Sequence, residues 1–172
     1  MLQQRSIALI GLSGVGKSTV GQKLALQLGW PLRDIDALVT QAAGRAMAEI
    51  FAQEGDSRFR ELESAALHTA LATAPCVVAT GGGIVLRDEN RALLRERAYI
   101  VWLDAPTPAL AARLRAHSET RPLLVGDDPA TALESLRAAR EALYASIADL
   151  RIETVGRTVE AICEEILGAI EE

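Results

Sequence analysis

Hydrophobic positions along the chain follow two alternating rhythms. Short runs dominated by apolar residues, SIALI at 6–10, CVVAT at 76–80, YIVWL at 99–103 and LRIET at 150–154, read as buried strands, with WPLRD at 30–34 a weaker one. Between them the apolar spacing lengthens to that of helices. Residues 17–28 carry Val20, Leu24 and Leu28 on one face and stop at Gly29. Two short helices are predicted over 36–43 and 46–53, each followed by a glycine, and a longer one over 57–73 with Phe59, Leu62, Ala66 and Ala70 inward. Further helices are expected at 88–97, opened by acidic residues, at 108–116 with proline in the first turn, at 130–149 and at 158–170. Residues 117–129 have no periodicity and read as a mobile lid-like loop. Strand alternating with helix five times implies an α/β chain with a parallel sheet covered on both faces.

The bulk numbers narrow the class. A chain of 172 residues fits one domain over 1–172 with one core, and with aromatics at only 3% that core is aliphatic. The net charge of −5, with no basic tract, argues against a nucleic-acid surface. No stretch approaches a membrane span and the N-terminus does not read as a signal peptide, so the expectation is a cytoplasmic monomer without membrane partners. Cys76 and Cys163 read as buried free thiols, and His68 and His117 receive no catalytic role.

The first chemical signal is GLSGVGKS, Gly11–Ser18, which fits G-x-x-x-x-G-K-[ST] between a strand and a helix. Gly11, Gly14 and Gly16 let consecutive amides turn around phosphate oxygens, and the helix N-terminus adds a positive partial charge. Lys17 can reach the outer phosphates, and the Ser18 hydroxyl can ligate Mg²⁺. Ser13, Val15 and Thr19 complete the predicted ATP-contacting stretch.

Candidate groups for the second substrate are scattered. Asp34 and Asp36 alternate along a segment read as extended, and phosphoryl transfer needs one carboxylate near the metal and another at the attacking hydroxyl. FRELE places Arg60 and Glu63 three apart on a helical face; RPLL puts Arg121 in the loop, and REALY puts Arg140 on the following helix. The consecutive glycines Gly81, Gly82 and Gly83 stand at a strand end, where open α/β sheets bind ligands.

Taken together, GLSGVGKSTVG, DID, GR followed by AEIF, EGDSRFRELE, ATGGGIV, RPLL and REALY make the chain resemble the shikimate kinase family over about residues 5–170. That resemblance implies a three-layer P-loop fold with strand order 2-3-1-4-5, and ATP-dependent phosphorylation of the 3-hydroxyl of shikimate. It assigns Asp34 to Mg²⁺ support, Asp36 to the acceptor hydroxyls as candidate base, and Arg60 and Arg140 to the acceptor carboxylate. Glu63 helps hold that site, over an acceptor-binding segment of about 34–63. Arg121 belongs to the lid near the transferring phosphate, and Phe51, Phe59 and Leu123 match apolar positions near the acceptor ring. A Cβ at Gly82 or Gly83 is expected to intrude on that ring at the end of the central strand. For adenine the family uses an arginine at the start of the lid, Arg113 or Arg115, with Arg113 favoured, and a segment near Gly156 and Arg157. Two competing readings are a related carbohydrate kinase, such as gluconate kinase, and a kinase-like effector-binding domain without catalysis. The glycine triad and the three arginines stand against the first, and Lys17, Asp34 and Asp36 against the second.

Overall fold

Five strands form one parallel sheet in the order β2-β3-β1-β4-β5. The structure is a computed structural model that describes residues 5–73, 75–116 and 128–171. The strands are β1 (Ser6–Ile10), β2 (Leu32–Asp34), β3 (Val77–Ala79), β4 (Ala98–Asp104) and β5 (Leu150–Glu153). The helices are α1 (Lys17–Leu28), α2 (Ile35–Ala43), α3 (Met47–Leu71), α4 (Asp88–Arg97), α5 (Thr107–Ala116), α6 (Pro129–Ile147) and α7 (Val159–Glu171), with a 3₁₀ turn at Ile84–Leu86. Consecutive residues of β1, β3 and β4 are buried whichever way they point, so helices cover both faces of the sheet. α1 lies against β1, β2 and β3 and packs on α7, while α4 and α6 lie against β4. Val20, Leu24, Ile162 and Ile166 are buried from these amphipathic faces, as their spacing predicts.

Parallel order has a functional consequence. All five strands point the same way, so the turns after β1, β2 and β3 collect at one end of the sheet. The loop after β1 can turn there because Gly11 has φ 142°, and a Cβ on it would come within 2.2 Å of the Leu103 carbonyl oxygen on β4. No helix among the described residues is long and apolar enough to cross a membrane. Cys76 and Cys163 are buried and unbridged.

Three local expectations need correction. Asp36 does not continue an extended segment after Asp34. Asp34 is the N-cap of α2, its carboxylate accepting from the Ala37 N–H at 3.1 Å, so the helix starts at once and Asp36 lies in its first turn. The helices predicted over 46–53 and 57–73 are two halves of α3, separated only by Gly55 at φ 81°, ψ 177°, a conformation that breaks the helix without a loop. The glycine triad follows β3, which is next to the centre; the central strand is β1, which feeds the phosphate-type loop. Other boundaries fall within about two residues of the pattern.

Candidate active site

A cavity of about 440 Å³ opens at the strand ends. Its floor is the loop from Ser13 to Ser18, and its walls include Thr19, Asp36, Gly81, Gly82, Arg113 and Arg157. The Lys17 ammonium donates to the carbonyls of Gly11 at 2.7 Å and Leu12 at 3.0 Å, which folds the side chain back over its own loop. The Ser18 hydroxyl donates to Asp34 Oδ2 at 2.9 Å. The capping carboxylate of α2 thus also reaches the first turn of α1. Two oxygen donors held together beside a phosphate-type loop are the hard ligands that Mg²⁺ prefers, since that ion keeps waters and phosphate oxygens for its other positions.

Arg113, on α5, donates to the carbonyls of Gly14 at 3.3 Å and Val15 at 3.4 Å and to Thr154 Oγ1 at 3.4 Å. Arg115, two residues on, points elsewhere and pairs with Asp128 at 2.9 Å. Arg157 borders the cavity while pairing with Glu165 at 2.6 Å. Apolar contacts at this end come from Leu114, Val159 and Ile162. The cavity therefore grades from a polar, amide-lined end at Gly16 to a mixed end suited to a flat base.

Beyond Asp36 and the glycines, charged side chains gather below the surface. Arg60 and Glu63, from the second half of α3, form an ion pair of 3.0 Å with side-chain exposures of 7% and 1%. Arg140 of α6 is also buried. Burial pushes the Glu63 carboxyl above the ordinary glutamate value; the Arg60 guanidinium pulls it back, and the Asp36 charge adds to the rise. Burial likewise draws Arg140 below the ordinary arginine value, and Tyr144 works against that loss. Phe51 and Phe59 stack with centroids 4.4 Å apart, and the Arg60 guanidinium lies 5.3 Å from the Phe59 centroid.

The glycine triad has none of the positive φ angles that glycine alone tolerates. Its reason is space, and the space is filled by the chain's own side chains. A Cβ on Gly83 would stand 2.1 Å from Arg60 Nη1; one on Gly81 would stand 2.8 Å from Glu63 Oε2 and 3.1 Å from Asp36 Oδ1. One on Gly82 would come 3.1 Å from Arg140 Nη1. The first protein neighbours that a Cβ at Gly82 or Gly83 meets belong to the arginines.

Arg121 and Leu123 lie outside the described residues. Two residues at the site carry no local sequence signal. Thr80 lines the cavity, its hydroxyl donating to the Leu9 carbonyl at 2.8 Å. The Tyr144 hydroxyl donates to the Gly82 carbonyl at 2.5 Å. For Tyr144 the available clue is its i, i+4 spacing from Arg140, which puts both on one face of α6.

The family model described as Shikimate kinase matches residues 13–171. A shikimate kinase of Symbiobacterium thermophilum is 45% identical over 168 residues, covering 97% of this chain and 97% of its own. Among solved structures, the shikimate kinase of Acinetobacter baumannii in complex with shikimate superposes with a TM-score of 0.93 at 32% identity, covering 99% of this chain and 95% of that one. A gluconokinase of Sinorhizobium meliloti has a TM-score of 0.68 at 22% identity over 97% of this chain and 91% of its own, a likeness of fold alone.

Proposed function

The chain belongs to the shikimate kinase family, a group of P-loop phosphotransferases, and from that premise we propose that it passes the γ-phosphate of ATP to the 3-hydroxyl of shikimate, giving shikimate 3-phosphate and ADP. The observation that carries this reading is the junction of two half-sites at Asp36. That residue lines the cavity above the phosphate-type loop, and it also stands beside the buried Arg60–Glu63 pair at the glycine triad.

The roles follow from the geometry. Arg60 and Arg140 converge from two helices, and two guanidinium groups can hold one carboxylate in a fixed plane, which sets the ring's orientation as well as its affinity. Glu63 holds Arg60 in place. With the ring so placed, Asp36 accepts the proton of the 3-hydroxyl as its oxygen attacks the γ-phosphorus, and the bond from that phosphorus to the bridging oxygen breaks to leave ADP. Lys17, whose ammonium lies at the rim of the loop, moves from carbonyl partners to phosphate oxygens and stabilises the charge there. Ser18 and Asp34 would hold Mg²⁺, which when bound neutralises charge on the phosphates. Arg113 and Arg157 flank the base, and Arg113 is suited to stack on it. Arg121 keeps the lid role that the family resemblance assigns it. A cytoplasmic monomer acting on a small molecule belongs to the same proposal.

Release of ADP from ATP–Mg²⁺ in the presence of shikimate, gluconate or no acceptor tests the reading. Turnover with shikimate alone is expected. Equal turnover with gluconate, or ADP release that ignores the acceptor, would overturn it.

A further inference from the structure

The motif reading gives Arg140 a function and leaves its helix neighbour Tyr144 without one. Yet Tyr144 is among the most deeply buried side chains, at 1% exposure, with its ring tilted against Trp102 at a centroid distance of 5.8 Å. A phenol in that position needs a partner for its hydroxyl. It has one on each side. The O–H donates to the Gly82 carbonyl at 2.5 Å, and the positive charge of Arg140, one turn earlier on α6, bears on the same hydroxyl oxygen.

The order of these contacts is fixed by the chemistry of a hydroxyl. It carries one proton, and the carbonyl of Gly82 can only accept, so the proton goes there. The oxygen's lone pairs are then left to face Arg140, which can only donate. Burial pushes the Tyr144 hydroxyl up to about 12, so it remains a neutral donor across the working pH range. At the far end, a Cβ on Gly82 would come 3.1 Å from Arg140 Nη1, so carbonyl, hydroxyl and guanidinium form one tight cluster at the turn after β3.

We propose that Tyr144 is a positioning residue for the acceptor: by tying Arg140 to the Gly82 carbonyl, it holds that guanidinium in the orientation that receives the substrate carboxylate. This rests on the reading of Arg140 as part of a carboxylate clamp. Without the hydroxyl, Arg140 keeps its charge but loses its anchor, and the Gly82 carbonyl loses a donor. The effect is therefore directed at acceptor affinity and leaves the nucleotide end alone, since Tyr144 is no part of the cavity lining there.

The test is steady-state kinetics of Tyr144→Phe, which keeps the ring and its packing on Trp102. The KM for shikimate should rise about tenfold or more, the scale of one hydrogen bond to a charged group, while the KM for ATP stays within twofold. A double-mutant cycle with Arg140→Ala adds a second readout: once Arg140 is gone, removing the hydroxyl should change the shikimate KM by less than threefold. An unchanged shikimate KM in Tyr144→Phe, equal rises in both KM values, or full additivity in the cycle would overturn the proposal. Each of those outcomes leaves shikimate-dependent turnover by the unaltered chain standing. Failure of that turnover would instead remove the functional reading beneath.

Discussion

Replacing Gly83 with alanine adds a single methyl group, and its expected effect is large because of where that carbon would sit. The backbone at Gly83 has φ −92°, ψ 7°, which alanine also adopts, so the substitution carries no conformational strain. The new Cβ would lie 2.1 Å from Arg60 Nη1, 2.5 Å from Cζ and 2.7 Å from Nη2. The guanidinium must retreat by roughly 1 Å or more to restore ordinary contact. It is not free to do so, because it is buried and pinned to Glu63 at 3.0 Å. Misplacing one member of a buried charge pair that grips a ligand costs about 2–5 kcal/mol. Even the lower bound corresponds to about 30-fold in acceptor affinity. Gly82→Ala is the internal control: its Cβ would stand 3.1 Å from Arg140 Nη1, a gap that a few tenths of an ångström relieves, so its effect should be several-fold smaller. The assay is a shikimate titration of ADP release at saturating ATP, repeated with ATP varied, alongside a thermal melt to establish that both variants are folded. A folded Gly83→Ala with a shikimate KM within twofold of the unaltered chain, or a larger rise in Gly82→Ala, would refute the assignment of the triad to making room for the arginines.

Three further outcomes are expected. Lys17→Met should lower kcat about 100-fold or more while a direct titration of shikimate binding changes little, because the ammonium serves the phosphates; equal kcat would remove it from the mechanism. Asp34→Asn keeps an N-cap for α2 but loses the charge beside Ser18, so the Mg²⁺ concentration for half-maximal turnover should rise with little change in thermal midpoint; a superimposable Mg²⁺ curve would contradict the metal assignment. Glu63 titrates above its ordinary 4.5 in the native state, so the native chain holds that proton more tightly than the unfolded chain. Its contribution to stability is therefore complete below pH 4.5 and is lost as pH rises through the native value. In Glu63→Gln, stability from denaturant melts should fall less steeply with pH upward from 4.5, and identical slopes would argue against a raised carboxyl.

How much of this could be read from the chain depends on distance in sequence. The nucleotide half is nearly contiguous: Gly11 to Thr19 contain the turn, the cation and a metal-type hydroxyl, and a strand and helix flank them as the motif demands. The acceptor half has no local pattern. Asp36, Arg60, Glu63, the glycines and Arg140 come from four elements that meet only because β2 and β3 are neighbours in a parallel sheet and α6 packs against the 3₁₀ turn that follows the glycines. Taken singly, each looks like a surface charge, and only the resemblance of the whole set points to one site. The misread segment at 34–36 failed for a local reason: alternating acids suit a strand, but an aspartate side chain that captures an amide three residues on starts a helix instead. Tyr144 was silent because a buried ring at helical spacing reads as core. Its hydroxyl is where the function enters.

The charges at the glycine triad also make sense only if something else is bound there. Burying Arg60, Glu63 and Arg140 costs desolvation that a well-packed apolar cluster of the same volume avoids, so the arrangement is a poor way to gain stability. Nor is the cluster internally complete. Arg60 Nε is buried with no hydrogen-bond acceptor among the described residues, Asp56 stopping at 3.6 Å. A buried N–H without a hydrogen bond costs about 1–3 kcal/mol, a cost that the Asp56 charge at 3.6 Å reduces. Glu63 accepts from Nη1 of Arg60, which orients that guanidinium while its Nε has no hydrogen-bond acceptor. A ligand carboxylate brings two acceptor oxygens to guanidinium groups already turned toward the pocket. The unfavourable electrostatics of the ligand-free pocket thus become the source of its affinity for an acid, and Glu63 and Tyr144 act to keep the two arginines from satisfying themselves elsewhere.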